Sequence, residues 1–140
     1  MTITDIYNII GDISLSKVEV NSYHTTNPYT ALNQNDVKYS AICFEINGCS
    51  DTDTYRTYNA TIYYANRLTE TADNLHLIEN TAVNTISDII RNMSETEGIL
   101  NVSDNIQYTF FQQKFIDYLA GAYCTLQITV PINNCNTMLR

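Results

Sequence analysis

Apolar residues recur along the chain with two distinct periods, and the places where the period changes divide it into elements. Ile6, Ile9, Ile10 and Ile13 follow an i, i+3, i+4, i+7 stripe preceded by Thr2 and Thr4 as candidate N-caps, which predicts a short amphipathic helix. Gly11 falls inside that stripe, costs about 1 kcal/mol relative to Ala, and predicts an end near Ile13. Lys17 to Tyr23 alternates, with Val18 and Val20 on one side, and reads as a half-buried strand. His24 to Asp36 holds Pro28, several Asn and Thr, and few apolar residues. It has neither period and reads as a long loop.

Two further strands follow. Lys38 to Ile46 sets Ile42, Phe44 and Ile46 on one face and Tyr39, Ala41 and Cys43 on the other, the two-sided apolar pattern of a central strand. Asn47-Gly48 then reads as a turn signal. Tyr55 to Ala65 alternates through Tyr58, Ala60, Ile62 and Tyr64, so the two strands should pair as an antiparallel hairpin.

The longest periodic run comes next. Leu75, Ile78, Ala82, Ile86, Ile89, Ile90 and Met93 recur at helical spacing, with Thr71 as the candidate N-cap and Gly98 closing the region. Ile106 to Phe111 has strand character, Gln112 to Gly121 reads as a mixed or bulged segment, and Ala122 to Val130 alternates through Cys124, Leu126, Ile128 and Val130. A second hairpin should therefore end the fold, with a loose tail over about residues 131–140. The expectation is one α+β domain over residues 1–140. It holds an antiparallel or mixed sheet of about four to five strands, one long helix packed on a face, and a short N-terminal helix.

Composition narrows the function. Among 140 residues, 44% are hydrophobic, and seven Lys and Arg face fifteen Asp and Glu for a net charge of -8. No basic stripe is present, so tight binding to the phosphate backbone is not expected. No apolar run approaches the roughly 20 residues a membrane helix needs, and residues 1–11 lack a signal-peptide pattern, which points to a cytosolic chain without membrane contact. Cys43, Cys49, Cys124 and Cys135 show no CxxC spacing, and reduced thiols are expected. Asp51 and Asp53, with Glu45 nearby, could be drawn as ligands of a divalent metal, but an Asp-rich turn is the commoner meaning. His76 sits beside Leu75 and Leu77 without a catalytic partner at recognisable spacing, and GxGxxG, P-loop and HExxH motifs are absent. The reading is of a chain that is not an enzyme and takes no cofactor or metal.

The isoleucine helix from Ile6 to Ile13, the hairpin from Tyr39 to Tyr64, the helix from Asp73 to Asn92 and the closing strand from Ala122 to Pro131 follow one another in an order that resembles the tail-terminator and neck-ring proteins of tailed bacteriophages. The richness in Asn, Thr, Tyr and Ile is similar to that of proteins of crAss-like phages. The resemblance implies a structural virion protein forming a closed homo-oligomeric ring, six-fold or twelve-fold, in the neck or tail. Such a connector joins portal or collar to other neck or tail proteins, with DNA only passing through its lumen, and resides in the host cytoplasm during assembly. The family supplies no catalytic residues.

From the residues themselves, Tyr23, Tyr29, Tyr55 and Tyr63 fall in loops or on polar strand faces. Tyrosine buries a large ring yet keeps a hydroxyl for hydrogen bonding, which makes these four the candidate protein-interface residues. Two other readings stay open: a non-viral adaptor domain that binds a protein partner, and a small metal-dependent enzyme using Asp51 and Asp53.

Overall fold

The computed structural model describes residues 1–34, 36–103, 105–114 and 118–132. In chain order its elements are α1 (Ile3–Leu15), β1 (Ser22–His24), α2 (Pro28–Ala31), β2 (Ala41–Asp51), β3 (Tyr55–Arg67), α3 (Leu75–Ser94), β4 (Asn101–Val102), β5 (Thr109–Lys114) and β6 (Tyr118–Pro131). The six strands form one mixed sheet ordered β1-β2-β3-β6-β4, and β5 shares with β4 the far side of β6. β1 runs parallel to β2, whereas every other pairing is antiparallel. The long helix and short N-terminal helix on an α+β sheet stand as expected, and the described residues form six strands where about four to five are expected.

α1 and α3 cover one face of the sheet. Ile6 and Ile10 of α1, Ile78, Ala82, Ile86, Ile89 and Met93 of α3, and Phe44, Tyr58, Ile62, Tyr64, Leu126 and Ile128 of the strands interlock there in one buried cluster. Burying each large aliphatic contributes about 1.5–3 kcal/mol, so the isoleucine stripe alone suffices to seat α3. Thr2 caps α1 with a full capping box, its side chain accepting the Asp5 N–H while the Asp5 carboxylate accepts the Thr2 N–H. Thr71 does not cap α3; Asn74 stands at that position without a side-chain cap bond.

Gly11 does not end α1, which continues to Leu15. Its missing side chain makes room for the Tyr23 ring, since a Cβ there would lie 2.9 Å from a ring carbon. The expected strand over Lys17 to Tyr23 is mostly turn: Val20 N–H closes onto the Lys17 carbonyl, Val18 is 90% exposed, and only Ser22–His24 pairs with β2. Alternation misled here because Val20 faces the core and Val18 faces solvent within a turn.

Within the expected loop from His24 to Asp36, Pro28–Ala31 forms one helical turn capped by the Asn27 side chain. Ala31, Leu32 and Val37 pack with Ala41, Cys43, Ala65 and Leu119 in a second, smaller cluster on the other face of the sheet. That cap covers one end of the second face only. The Asn47-Gly48 turn is likewise corrected, because β2 passes through these residues to Asp51 and the chain reverses at 52–54. Gln112 to Gly121 is not loop at its ends either, since β5 reaches Lys114 and β6 starts at Tyr118. Of the loose tail expected over about residues 131–140, Pro131 ends β6 and Ile132 N–H donates to the Thr54 carbonyl, and positions 133–140 lie outside the described residues.

Candidate interaction surface

Each strand has two edges, and the inward or outward aim of its N–H and C=O groups alternates residue by residue. On β2 the even-numbered residues aim outward at first: Ser40 C=O accepts from Asn21 and Ser22, and Ile46 N–H donates to the Tyr7 hydroxyl. Between Ile46 and Gly48 the register with β3 shifts, leaving Asn47 as an inserted residue. Beyond it Gly48 and Ser50 pair with Asn59 and Thr57, and Thr52 N–H closes onto Tyr55, so Cys49 and Asp51 aim outward. Neither has a backbone partner on that side among the described residues. The hairpin end is stiffened by Arg56, whose guanidinium donates to both Asp51 carboxylate oxygens at 2.6 and 2.9 Å and holds that carboxyl below its usual range.

The opposite rim belongs to β5. Leu100 N–H donates to Thr129 C=O and Ser103 N–H to Gln127 C=O, which sets the odd-numbered residues of β6 toward β4 and β5. Thr109, Phe111 and Gln113 therefore bond to Tyr123, Gly121 and Leu119, while Phe110, Gln112 and Lys114 aim outward with no further strand beyond them among the described residues. Natural edges are usually blunted by shortness, proline, bulges or covering segments. β5 has six residues, no proline and regular register, and Phe110 is 51% exposed.

Among the described residues, the face away from α1 and α3 is open beyond the small cap. Tyr63 of β3 and Tyr123 of β6 stack tilted at 5.1 Å between centroids, with Phe111 of β5 6.4 Å further along the row. Below them lies a lattice of uncharged side chains. Asn47 Nδ2 donates to Thr61 Oγ1, Gln127 Nε2 to Asn59 Oδ1, and the hydroxyls of Thr57 and Thr129 bond to each other. A shallow cleft of ≈ 580 Å³ opens there, lined by Asn59, Asn101, Ser103, Asn105, Thr125 and Gln127 among others.

The four candidate tyrosines are not brought together. Tyr23 is turned into the domain, its ring over Gly11 and its hydroxyl donating to the Tyr7 carbonyl at 2.9 Å, and burial raises its pKa. Tyr63 is half-buried in the aromatic row; burial first and the Glu45 carboxylate second raise its pKa. Tyr29 on α2 is 60% exposed and Tyr55 beside the hairpin turn 47% exposed. The sequence pattern does not place Phe110 or Cys49 at a sheet rim. Only the unbroken run Thr109 to Lys114, free of Gly and Pro, hints at an unprotected edge.

Asp51 is engaged by Arg56, and among the described residues no group of three or more His, Cys, Asp or Glu is placed to hold a metal ion. His76 is solvent-exposed and within 3.2 Å of Glu79. Cys43 and Cys124 are buried free thiols whose pKa burial pushes up to about 12, Cys49 is exposed, and Cys135 lies outside the described residues. Among the described residues no helix is long and apolar enough to cross a membrane. No protein-family model matches the chain, and no curated protein is detectably similar to it.

Proposed function

We propose that the chain is a structural subunit of a tailed-phage particle, assembling with copies of itself into a closed ring in the neck or tail. The ring joins portal or collar to tail components around the DNA channel. The observation that carries the reading is the pair of sheet rims left open among the described residues, at β2 beyond Asn47 and at β5. Unpaired strand edges are templates for pairing with another chain, and a fold that leaves two of them open is suited to repeated contacts. The exposed Tyr29 and Tyr55 add amphipathic anchors. A net charge of -8 supports a passive conduit, because an acidic lumen does not grip phosphates.

Native mass spectrometry of the purified chain, with electron microscopy of it and of its source particle, tests the reading. Closed rings, alone or within the particle neck or tail, are the expected result. A chain that stays monomeric and is missing from those rings overturns it.

A further inference from the structure

We infer that the outer edge of β5 in one copy pairs with the outer edge of β2, at Cys49 and Asp51, in the next copy, so that the sheet itself runs on from subunit to subunit. This rests on the ring reading and specifies its joint.

The argument is geometric. Across the order β2-β3-β6-β5 each neighbour is antiparallel, so β2 and β5 run in opposite directions. A second copy placed beside the first by a rotation about the ring axis, with its strands tilted alike to that axis, keeps neighbouring strands pointing the same way. It therefore presents its β2 antiparallel to the first copy's β5, with matching sheet faces in continuation. Phe110 and Cys49 both belong to the helix-covered face, since Phe110 is registered with Ala122 and Cys49 with Tyr58. The two rims are unlike one another, so joining them is a head-to-tail contact, which gives a ring where the rotation between copies closes; pairing β5 with β5 would stop at a dimer and leave β2 open.

The rims also sit at different heights. Phe110 lies level with Ala122 of β6, whereas Cys49 lies level, through Tyr58, with Ile128, an offset of six residues. Six residues amount to about 20 Å along a strand, and four strands to about 19 Å across the sheet. Bringing Phe110 opposite Cys49 of the next copy thus tilts the strands by about 45° to the ring axis, at the edge of the 35–45° range of closed β-barrels. The stagger that looks like a defect of the single chain is the shear a closed sheet needs. On the β2 side, Tyr7 already occupies the outward N–H of Ile46 and β1 pairs with residues 41–43, so an incoming strand is confined to the segment beyond the bulge.

The test uses the full chain carrying Cys135→Ser, in which Cys49 is the exposed native thiol. With Phe110→Cys added, a short bis-maleimide linker should give a ladder of covalent multimers on a denaturing gel, and Cys49→Ser should abolish that ladder. Phe110→Pro removes the outward N–H that faces Cys49 without touching the bonds to β6, and should abolish assembly while leaving the melting midpoint within a few degrees. Dimers that persist in the Phe110→Cys, Cys49→Ser protein would show β5 pairing with itself and overturn the inference. Rings seen by microscopy that give no Cys49-dependent ladder would also overturn it while leaving the ring reading standing. A chain that neither assembles nor occurs in a particle ring removes both.

Discussion

The hydroxyl of Tyr7, on α1, accepts the backbone N–H of Ile46, on β2, at 2.9 Å. A side chain from a helix thus does for this strand edge what a neighbouring strand would do, while the same ring meets Phe44 edge-on at 5.6 Å. Tyr7→Phe keeps the ring contact and removes the acceptor, leaving a part-buried donor unsatisfied. The expected loss is about 1–2 kcal/mol of unfolding free energy, read as a lower urea midpoint with unchanged slope.

Gly121 faces the backbone of β3 so closely that a Cβ would fall 1.7 Å from the Tyr64 carbonyl oxygen. No side-chain rotation relieves a clash with main chain, so Gly121→Ala must spread the two central strands. A loss of about 4 kcal/mol is expected, measurable by chemical denaturation or, where the variant does not accumulate, by its solubility against Gly48→Ala. Gly48 has open space around it, and its Ala variant should be close to neutral.

Cys43 and Cys124 keep their protons in the folded chain to about pH 12, against an ordinary thiol value of 9.0. Above pH 9 the unfolded chain therefore releases protons that the folded one retains. Their contribution is complete below pH 9 and is lost progressively as pH rises toward 12. The double variant Cys43→Ala, Cys124→Ala should show a shallower decline of stability over that range. In the Cys135→Ser chain, a thiol reagent at pH 8 should label one cysteine per native molecule and three after denaturation.

The two kinds of tyrosine should separate by assay. Tyr23→Phe removes a hydrogen bond to the Tyr7 carbonyl and should cost about 1 kcal/mol of stability with assembly intact. Tyr55→Ser changes an exposed residue beside the hairpin turn and should leave the unfolding free energy within about 0.5 kcal/mol while weakening ring formation. Circular dichroism melts and native mass spectrometry of the same samples read both. Loss of stability without loss of assembly in Tyr55→Ser would remove that residue from the interface.

Legibility in the sequence follows whether a signal is local. The isoleucine spacing of α3 and the alternation Tyr58, Ala60, Ile62, Tyr64 are written in residues that share one element, and both match the structure. Asn47-Gly48 carries the composition of a reverse turn, but the same pair serves a bulge, and only the continued pairing of Cys49 with Tyr58 distinguishes the two. Asn27-Pro28 is a helix-start signal, an N-cap followed by proline at the first helical position, and is overlooked among the polar residues around it. The rims belong to a different category. Whether Phe110 and Cys49 border an unpaired edge depends on which strands meet across the whole chain, and no window of sequence contains that information.

The lattice on the open face has one further consequence. Thr57, Asn59 and Thr61 on β3, with Thr125, Gln127 and Thr129 on β6, contain no group that gains or loses a proton in water near neutrality. A contact made through those amides and hydroxyls alone is held by dipoles, so brine and mild acid should alter it only where it also reaches Glu45, the carboxylate in register with Thr61 on the same face.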